Sequence, residues 1–287
     1  MITLVAAAVA GVVVGLLSGL LGIGGGTIMV PLFRLAFGMP AIQATATSLL
    51  AIIPTSFSGC VGHVRNRTCV IGVGLAAGLA GACTSPVGVR LASISPSWAI
   101  MLAAAVIIGY SAFTMLKKGL AMPKEAGRSK TGAATAKGSA AKAVAEAKTT
   151  APAARPARVH ATRHQMVVGV VAGAVAGLAS GYVGVGGGFL MVPLFIQFGG
   201  ISMRQASGTS LIAVTLLAIP GALTQIILGN VHILAGLVLS LGSIPSALVG
   251  ANLVKYVPER TLRLLFGGFL LVVAAILVGN EIMVPEV

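Results

Sequence analysis

The chain has 287 residues, of which 57% are hydrophobic and only 8% charged, with a net charge of +14 and a mean hydropathy of +1.03. So few charges exclude a water-soluble globular domain of this length, and the lack of alternating apolar segments of about ten residues excludes a membrane β-barrel. What remains is an all-α polytopic membrane protein, because several uncharged stretches reach about twenty residues, enough to cross roughly 30 Å of hydrocarbon as helix.

In chain order, apolar segments are predicted near 3–22, 26–38, 43–63, 70–92 and 97–116, and again near 166–184, 188–200, 206–228, 232–254 and 261–280. The first begins without the basic stretch of a signal peptide and aligns with the segment starting near Met166, so it is read as a mature membrane helix. Residues 15–33 (GLLSGLLGIGGGTIMVPLF) match residues 177–195 (GLASGYVGVGGGFLMVPLF) at 13 of 19 positions, at a constant offset of 162. The offset continues without a gap through Thr47/Thr209, Gly59/Gly221, Gly88/Gly250 and Pro96/Pro258. One apolar unit is therefore written twice, and duplication around a glycine-interrupted segment points to a transporter.

Three parts follow: a first transmembrane repeat over 1–118, a basic low-complexity linker over 119–163, and a second repeat over 164–287. Residues 117–163 carry 11 of the 19 basic residues in an Ala/Lys/Pro/Gly/Thr-rich stretch that cannot bury a core. A solvated cytoplasmic tether near anionic lipid accounts for it, and no nucleic-acid partner is expected. Cys60, Cys69 and Cys83 have no CxxC spacing and read as small packing residues.

The loop charges alternate between the copies. Between segments two and three, 39–43 are uncharged while the second copy has Arg204. Between three and four, His63, Arg65 and Arg67 face the uncharged 228–230, and between four and five, the uncharged 93–97 face Lys255, Arg260 and Arg263. The positive-inside rule puts equivalent loops on opposite sides, so each repeat crosses an odd number of times and the repeats are inverted, five plus five. A re-entrant glycine loop with four crossings per half would make parallel repeats and leave the charge swap unexplained. With the linker inside, both termini lie outside.

Gly24, Gly25 and Gly26 match Gly186, Gly187 and Gly188, each cluster preceding a short segment of about thirteen residues. Consecutive glycines cost a helix roughly 1 kcal/mol each, and a break in hydrocarbon is tolerated only inside protein or beside a water-filled cavity. Helix starts at these glycines aim free N–H groups at a central site, where the positive helix end and bare donors suit an anion. Close packing through small residues is the competing reading. Pro31 and Pro193 read as helix-shaping residues.

Gln43, Thr47 and Ser48 match Gln205, Thr209 and Ser210 at the start of the third segment, where the hydroxyls either cap that helix or donate to an oxyanion. Ser18 and Ser180 also recur and read as packing residues. Arg34, inside a short apolar segment, is a candidate for attracting an anion, and His63 is a candidate for proton coupling. The chain has no aspartate, and Glu125, Glu146, Glu259, Glu281 and Glu286 fall in the linker, a loop and the tail. Cation transport and carboxylate proton relays need an intramembrane acid, so an anion is the natural substrate. No nucleophile–base–carboxylate set or metal-ligand cluster is present, so no enzyme activity, cofactor or metal is expected.

The duplicated G-x-x-S-G-x-x-G-x-G-G-G-x-x-x-V-P-L, followed by A-x-x-T-S-L, resembles the TauE/SafE sulfite exporter family, also called the toluene-sulfonate uptake permease family. The resemblance covers both halves and implies transport of sulfur oxyanions or organosulfonates across a bacterial cytoplasmic membrane. The expected function is a secondary transporter of such anions, as a monomer or a homodimer, working by alternating access around a midplane site. A passive anion channel, or a membrane protein that docks partners through its linker, is the alternative.

Overall fold

Residues 2–122 and 162–283 are described by the computed structural model; the linker expected at 119–163 falls almost wholly outside the described residues, as do residues 284–287 of the tail. Among the described residues there are ten helices and no strand. In the first repeat these are α1 (Ile2–Leu21), α2 (Gly26–Phe37), α3 (Ala41–Arg65), α4 (Ile71–Ser93) and α5 (Ser97–Ala121). In the second they are α6 (Arg163–Val183), α7 (Gly188–Gln197), α8 (Met203–Ile227), α9 (Ile233–Leu253) and α10 (Glu259–Met283). Seven of them, α3–α6 and α8–α10, are long and apolar enough to cross a membrane; α2 and α7, at 12 and 10 residues, are not.

The repeats interlock rather than sit side by side. Gly11, Gly15 and Gly19 of α1 lie against the carbonyls of Leu239, Ser243 and Ala247 on α9, so the two helices run in the same direction. With partners exchanged, Gly173, Gly177 and Gly181 of α6 lie against the carbonyls of Ala77, Gly81 and Ser85 on α4. A methyl group at any of these positions would collide with backbone, which is why each first helix carries glycine every fourth residue. Close backbone approach of this kind holds helices together where no hydrophobic drive exists between them and lipid.

Directions follow from the remaining contacts. α3 runs parallel to α9, with Gly59 beside Ala247 and Gly62 beside Ala251, so α1, α3 and α9 share one direction. α8 runs opposite to α3, with Gly59 beside Leu211 and Gly221 beside Leu49, and parallel to α4, with Gly74 beside Ile212 and Gly78 beside Leu216. α5 and α10 pack antiparallel, Gly119 on Leu264 and Gly267 on Leu116. Each helix of the first repeat therefore points opposite to its counterpart 162 residues later. The inverted repeat predicted from loop charge is the architecture of the fold, related by a pseudo-two-fold axis between α3 and α8.

That inversion sorts the charges. One face holds the end of α5 and the start of α6, together with Arg65, Arg67, Arg204, Lys255, Arg260 and Arg263. There Glu259 pairs with Arg263 at 2.6 Å and accepts the Met203 N–H, while Arg204 donates to the Val257 carbonyl. On the opposite face, among the described residues, only Arg34, Arg90 and His232 are basic. The three cysteines are free thiols, and burial, helped by neighbouring Cys60, pushes the loop thiol of Cys69 up to about 11.

Ile94 and Tyr256 occupy equivalent loop positions, 80% and 79% exposed. In a chain whose native cysteines are replaced, Ile94→Cys and Tyr256→Cys should react with a membrane-impermeant maleimide from opposite sides of sealed vesicles. Labelling of both from one side would rule out the inversion.

Candidate functional site at the paired glycine breaks

The polypeptide reverses direction at each glycine cluster. Gly22, Gly24 and Gly25 have φ of 77°, 83° and 85°, and Gly184, Gly186 and Gly187 have 73°, 87° and 65°. Side chains with a Cβ disfavour that left-handed region, so glycine is required here by the turn itself. α1 runs the width of the bundle, the break doubles back, and α2 starts at mid-depth beside Ile52 of α3 before returning to the face that α1 left. α7 does the same from the other side. The breaks touch at the pseudo-two-fold axis: Gly26 lies against the Val185 carbonyl, and Gly188 against the carbonyls of Gly22 and Ile23.

The exposed backbone groups are treated unequally. The Gly22 carbonyl accepts a hydrogen bond from Ser210 Oγ at 2.7 Å, and the Gly184 carbonyl accepts one from Ser48 Oγ at 2.5 Å. The Gly25 carbonyl accepts the N–H groups of Ile28 and Met29, and the Gly187 carbonyl those of Leu190 and Met191. Among the described residues, however, the N–H groups of Gly24, Gly25, Gly26 and Thr27 meet no acceptor, and neither do those of Gly186, Gly187 and Phe189. The donors are open at the positive ends of two half-helices; the carbonyls of Gly22, Gly25, Gly184 and Gly187 are bonded, while those of Ile23, Gly24 and Val185 meet no donor among the described residues.

The threonine–serine pairs read in the sequence as caps of their own helix or as oxyanion donors have a different bonding pattern. Each serine holds the glycine break of the other repeat. Each threonine supports the start of a helix in the other repeat: Thr47 Oγ1 accepts the His232 N–H at 3.0 Å ahead of α9, and Thr209 Oγ1 accepts the Val70 N–H at 2.9 Å ahead of α4. Single-sequence reasoning could not find this, because each partner lies more than 130 residues away.

The other sequence-derived candidates lie further out. Gln43 is exposed in the first turn of α3, about 13 Å along the helix from Ile52 but two residues from Thr45, on which Gly184 packs. Gln205 is tied to Ser202 in the first turn of α8. Arg34 is buried in the last turn of α2, eight residues and about 12 Å beyond Gly26. His63 is fully buried, Nε2–H donating to the Gly19 carbonyl of α1 and Nδ1 facing Thr68 Oγ1, both at 2.8 Å. Separate from the breaks, an open groove of about 750 Å³ between the ends of α4 and α8 is lined by Arg90, Leu91, Ile94, Thr224 and Ile227.

Sequence reading took Ser18 and Ser180 for packing residues and passed over other buried hydroxyls, Thr27 and Ser56 among them. Ser18, Thr27, Ser56, Ser85 and Ser180 are each at most 1% exposed, and their hydroxyls have no hydrogen-bond partner. The spacing Ser48, Ile52, Ser56 puts Ser56 on the helix face that already carries the motif serine, and that was the available signal.

A bundle of inverted repeats with two broken half-helices meeting at its centre defines a class of polytopic helical membrane proteins built like transporters. The chain belongs to the sulfite exporter TauE/SafE family, whose profile matches residues 7–277. It is thus a multi-pass membrane protein of a membrane transporter family. It is similar to the probable membrane transporter protein YdhB of Bacillus subtilis (strain 168), with 27% identity over 250 residues, covering 87% of this chain and 89% of YdhB. A shorter match, 50% identical over 52 residues, joins it to the probable membrane transporter protein YunE of the same organism, covering 18% of this chain and 19% of YunE. No solved structure matches.

Ser48→Ala or Ser210→Ala should leave a buried carbonyl unpaired and cost about 1–3 kcal/mol. Thermal unfolding in detergent should show both variants melting earlier than the parent. Ser111→Ala, which removes a hydroxyl without a partner, should melt no earlier.

Proposed function

We propose that the protein is a secondary transporter of small anions, with sulfite or organosulfonates as substrates, working by alternating access in a bacterial cytoplasmic membrane. The observation that carries this is the sign of the open groups at the breaks. Two half-helix N-termini leave runs of N–H donors free, while the carbonyls of Gly22, Gly25, Gly184 and Gly187 are bonded. No aspartate exists in the chain, and among the described residues no glutamate lies beside the breaks. Such a site attracts an oxyanion and repels a cation without any charged side chain. The family supports the choice of sulfur oxyanions.

The anion sits among Gly24–Gly26 and Gly186–Gly188 at mid-depth. Ser48 and Ser210 hold the breaks, Thr47 and Thr209 hold the helix starts beside them, and all four are released towards the anion when one half rocks against the other. Arg34, at the end of α2, raises the local anion concentration on one side, and Gln43 and Gln205 lie on the approach. The basic face is cytoplasmic by the positive-inside rule, which puts both termini in the periplasm.

Proteoliposomes containing the protein should take up sulfite or sulfoacetate faster than empty vesicles. Gly25→Leu, at a φ of 85° with Val14, Met29 and Ser18 around it, should abolish that uptake and the underlying binding while the chain still inserts. Binding unaltered in this variant would return the glycines to a packing role.

His63 is the coupling group in this reading. Its ring can stay bonded in either protonation state, because Thr68 Oγ1 can donate to Nδ1 or accept from it while donating to the His63 carbonyl at 3.2 Å. Its counterpart is Gln225, which accepts from Asn230. His63→Gln should therefore keep the fold and binding but remove the response of flux to a pH gradient. Unchanged acceleration by the gradient would exclude the role.

A further inference from the structure

The two breaks share a backbone path but not a chemistry. Around the first, Thr27 stands in the opening turn of α2 and Ser56 on α3, both fully buried with unpartnered hydroxyls. At the equivalent positions of the second repeat stand Phe189 and Ala218, both fully buried. Ser18 and Ser180 are free in both copies and do not distinguish them. The backbone differs in the same sense. Gly188 N–H is consumed by the Gly186 carbonyl at 2.7 Å, whereas the equivalent N–H of Gly26 has no acceptor among the described residues.

We infer that the first repeat's break is the half of the site that grips the anion, through the Gly24, Gly25, Gly26 and Thr27 N–H groups and the hydroxyls of Ser56, Thr27 and Ser18, while the second break forms its opposing wall. This rests on the anion-transport reading above and makes it asymmetric. Ser56 Oγ lies 3.1 Å from where a Cβ on Gly24 would stand, and the Ser18 Cβ lies 3.7 Å from that position on Gly25, so both hydroxyl-bearing side chains border the open N–H groups. A buried hydroxyl without a partner costs stability, and three gathered at one break beside open N–H groups form a donor set that a bound oxyanion would complete during the transport cycle.

An oxyanion suits this set because every group donates. Sulfite and sulfonates present three oxygens, and the break offers hydroxyl donors from three helices together with a run of consecutive backbone donors. Across the axis, Phe189 and Ala218 give an apolar surface. That surface suits the carbon substituent of an organosulfonate, which places the sulfur-bound oxygens on the first repeat and the organic part against the second. Charge-assisted hydrogen bonds of this type are stronger than neutral ones, so each hydroxyl should be measurable.

The test is equilibrium binding of sulfite and of sulfoacetate to the purified full chain in detergent, by titration calorimetry, for the parent and for Ser56→Ala, Thr27→Val and Ser180→Ala. Ser56→Ala and Thr27→Val should each weaken binding about tenfold or more, and Ser180→Ala less than twofold. Because each change removes a hydroxyl that has no partner, melting temperatures should stay level or rise, which separates lost contacts from lost folding. Equal weakening by Ser56→Ala and Ser180→Ala, or no weakening by Ser56→Ala and Thr27→Val, would overturn the asymmetric site. A parent chain that binds neither anion would instead overturn the anion-transport reading itself.

Discussion

A polypeptide that breaks its helix inside hydrocarbon must find partners for the backbone groups it exposes, since each unpaired group buried there costs several kcal/mol. Every unusual feature of the central region answers to this requirement. The carbonyls of Gly22 and Gly184 are met by serines, and those serines come from the opposite repeat. The donors are left open. Consecutive open donors at two helix N-termini give the region a positive polarity, and on that polarity rests the anion site proposed above.

The same requirement explains why the repeats interlock. Neither half can complete its own break: Ser210 serves Gly22 and Ser48 serves Gly184, while Thr209 and Thr47 support helix starts across the axis. The glycine-on-carbonyl contacts of α1 with α9 and of α6 with α4 bind the halves again at the periphery. A movement that separates the halves must therefore loosen the serine and threonine bonds at the moment it exposes the N–H groups. In the transport reading proposed above, these few hydroxyls would link substrate access to the integrity of the breaks, as a two-state rocking element requires.

Much of this was legible in the sequence. The inversion could be read from Arg65 and Arg67 against Leu228–Asn230, because loop charge reports membrane side directly. The breaks could be read from Gly24–Gly26 and Gly186–Gly188, because no regular helix tolerates such runs cheaply. The roles of the polar residues were less legible. Thr47 and Ser48 look like local helix caps until their partners, 185 and 136 residues away, are seen. Gln43 and Gln205 sit two residues from Thr45 and Ser207, which abut Gly184 and Gly22, yet Gln43 is exposed and Gln205 is tied to Ser202. Ser56 and Thr27 stayed hidden because a lone hydroxyl in an apolar segment looks the same whether it is bonded to its own helix, as Thr55 is to Ala51, or left without a partner.

The asymmetry between the breaks turns on single residues within an otherwise faithful duplication, so a measurement that locates the anion is the most direct check. Crystals of the full chain soaked with selenite, the heavier analogue of sulfite, would give an anomalous signal at the bound atom. The account predicts one peak within hydrogen-bonding reach of the Gly24–Gly26 N–H groups and of Ser56 Oγ. A peak confined to the groove beside Arg90 or to the basic face, with both breaks empty, would contradict it.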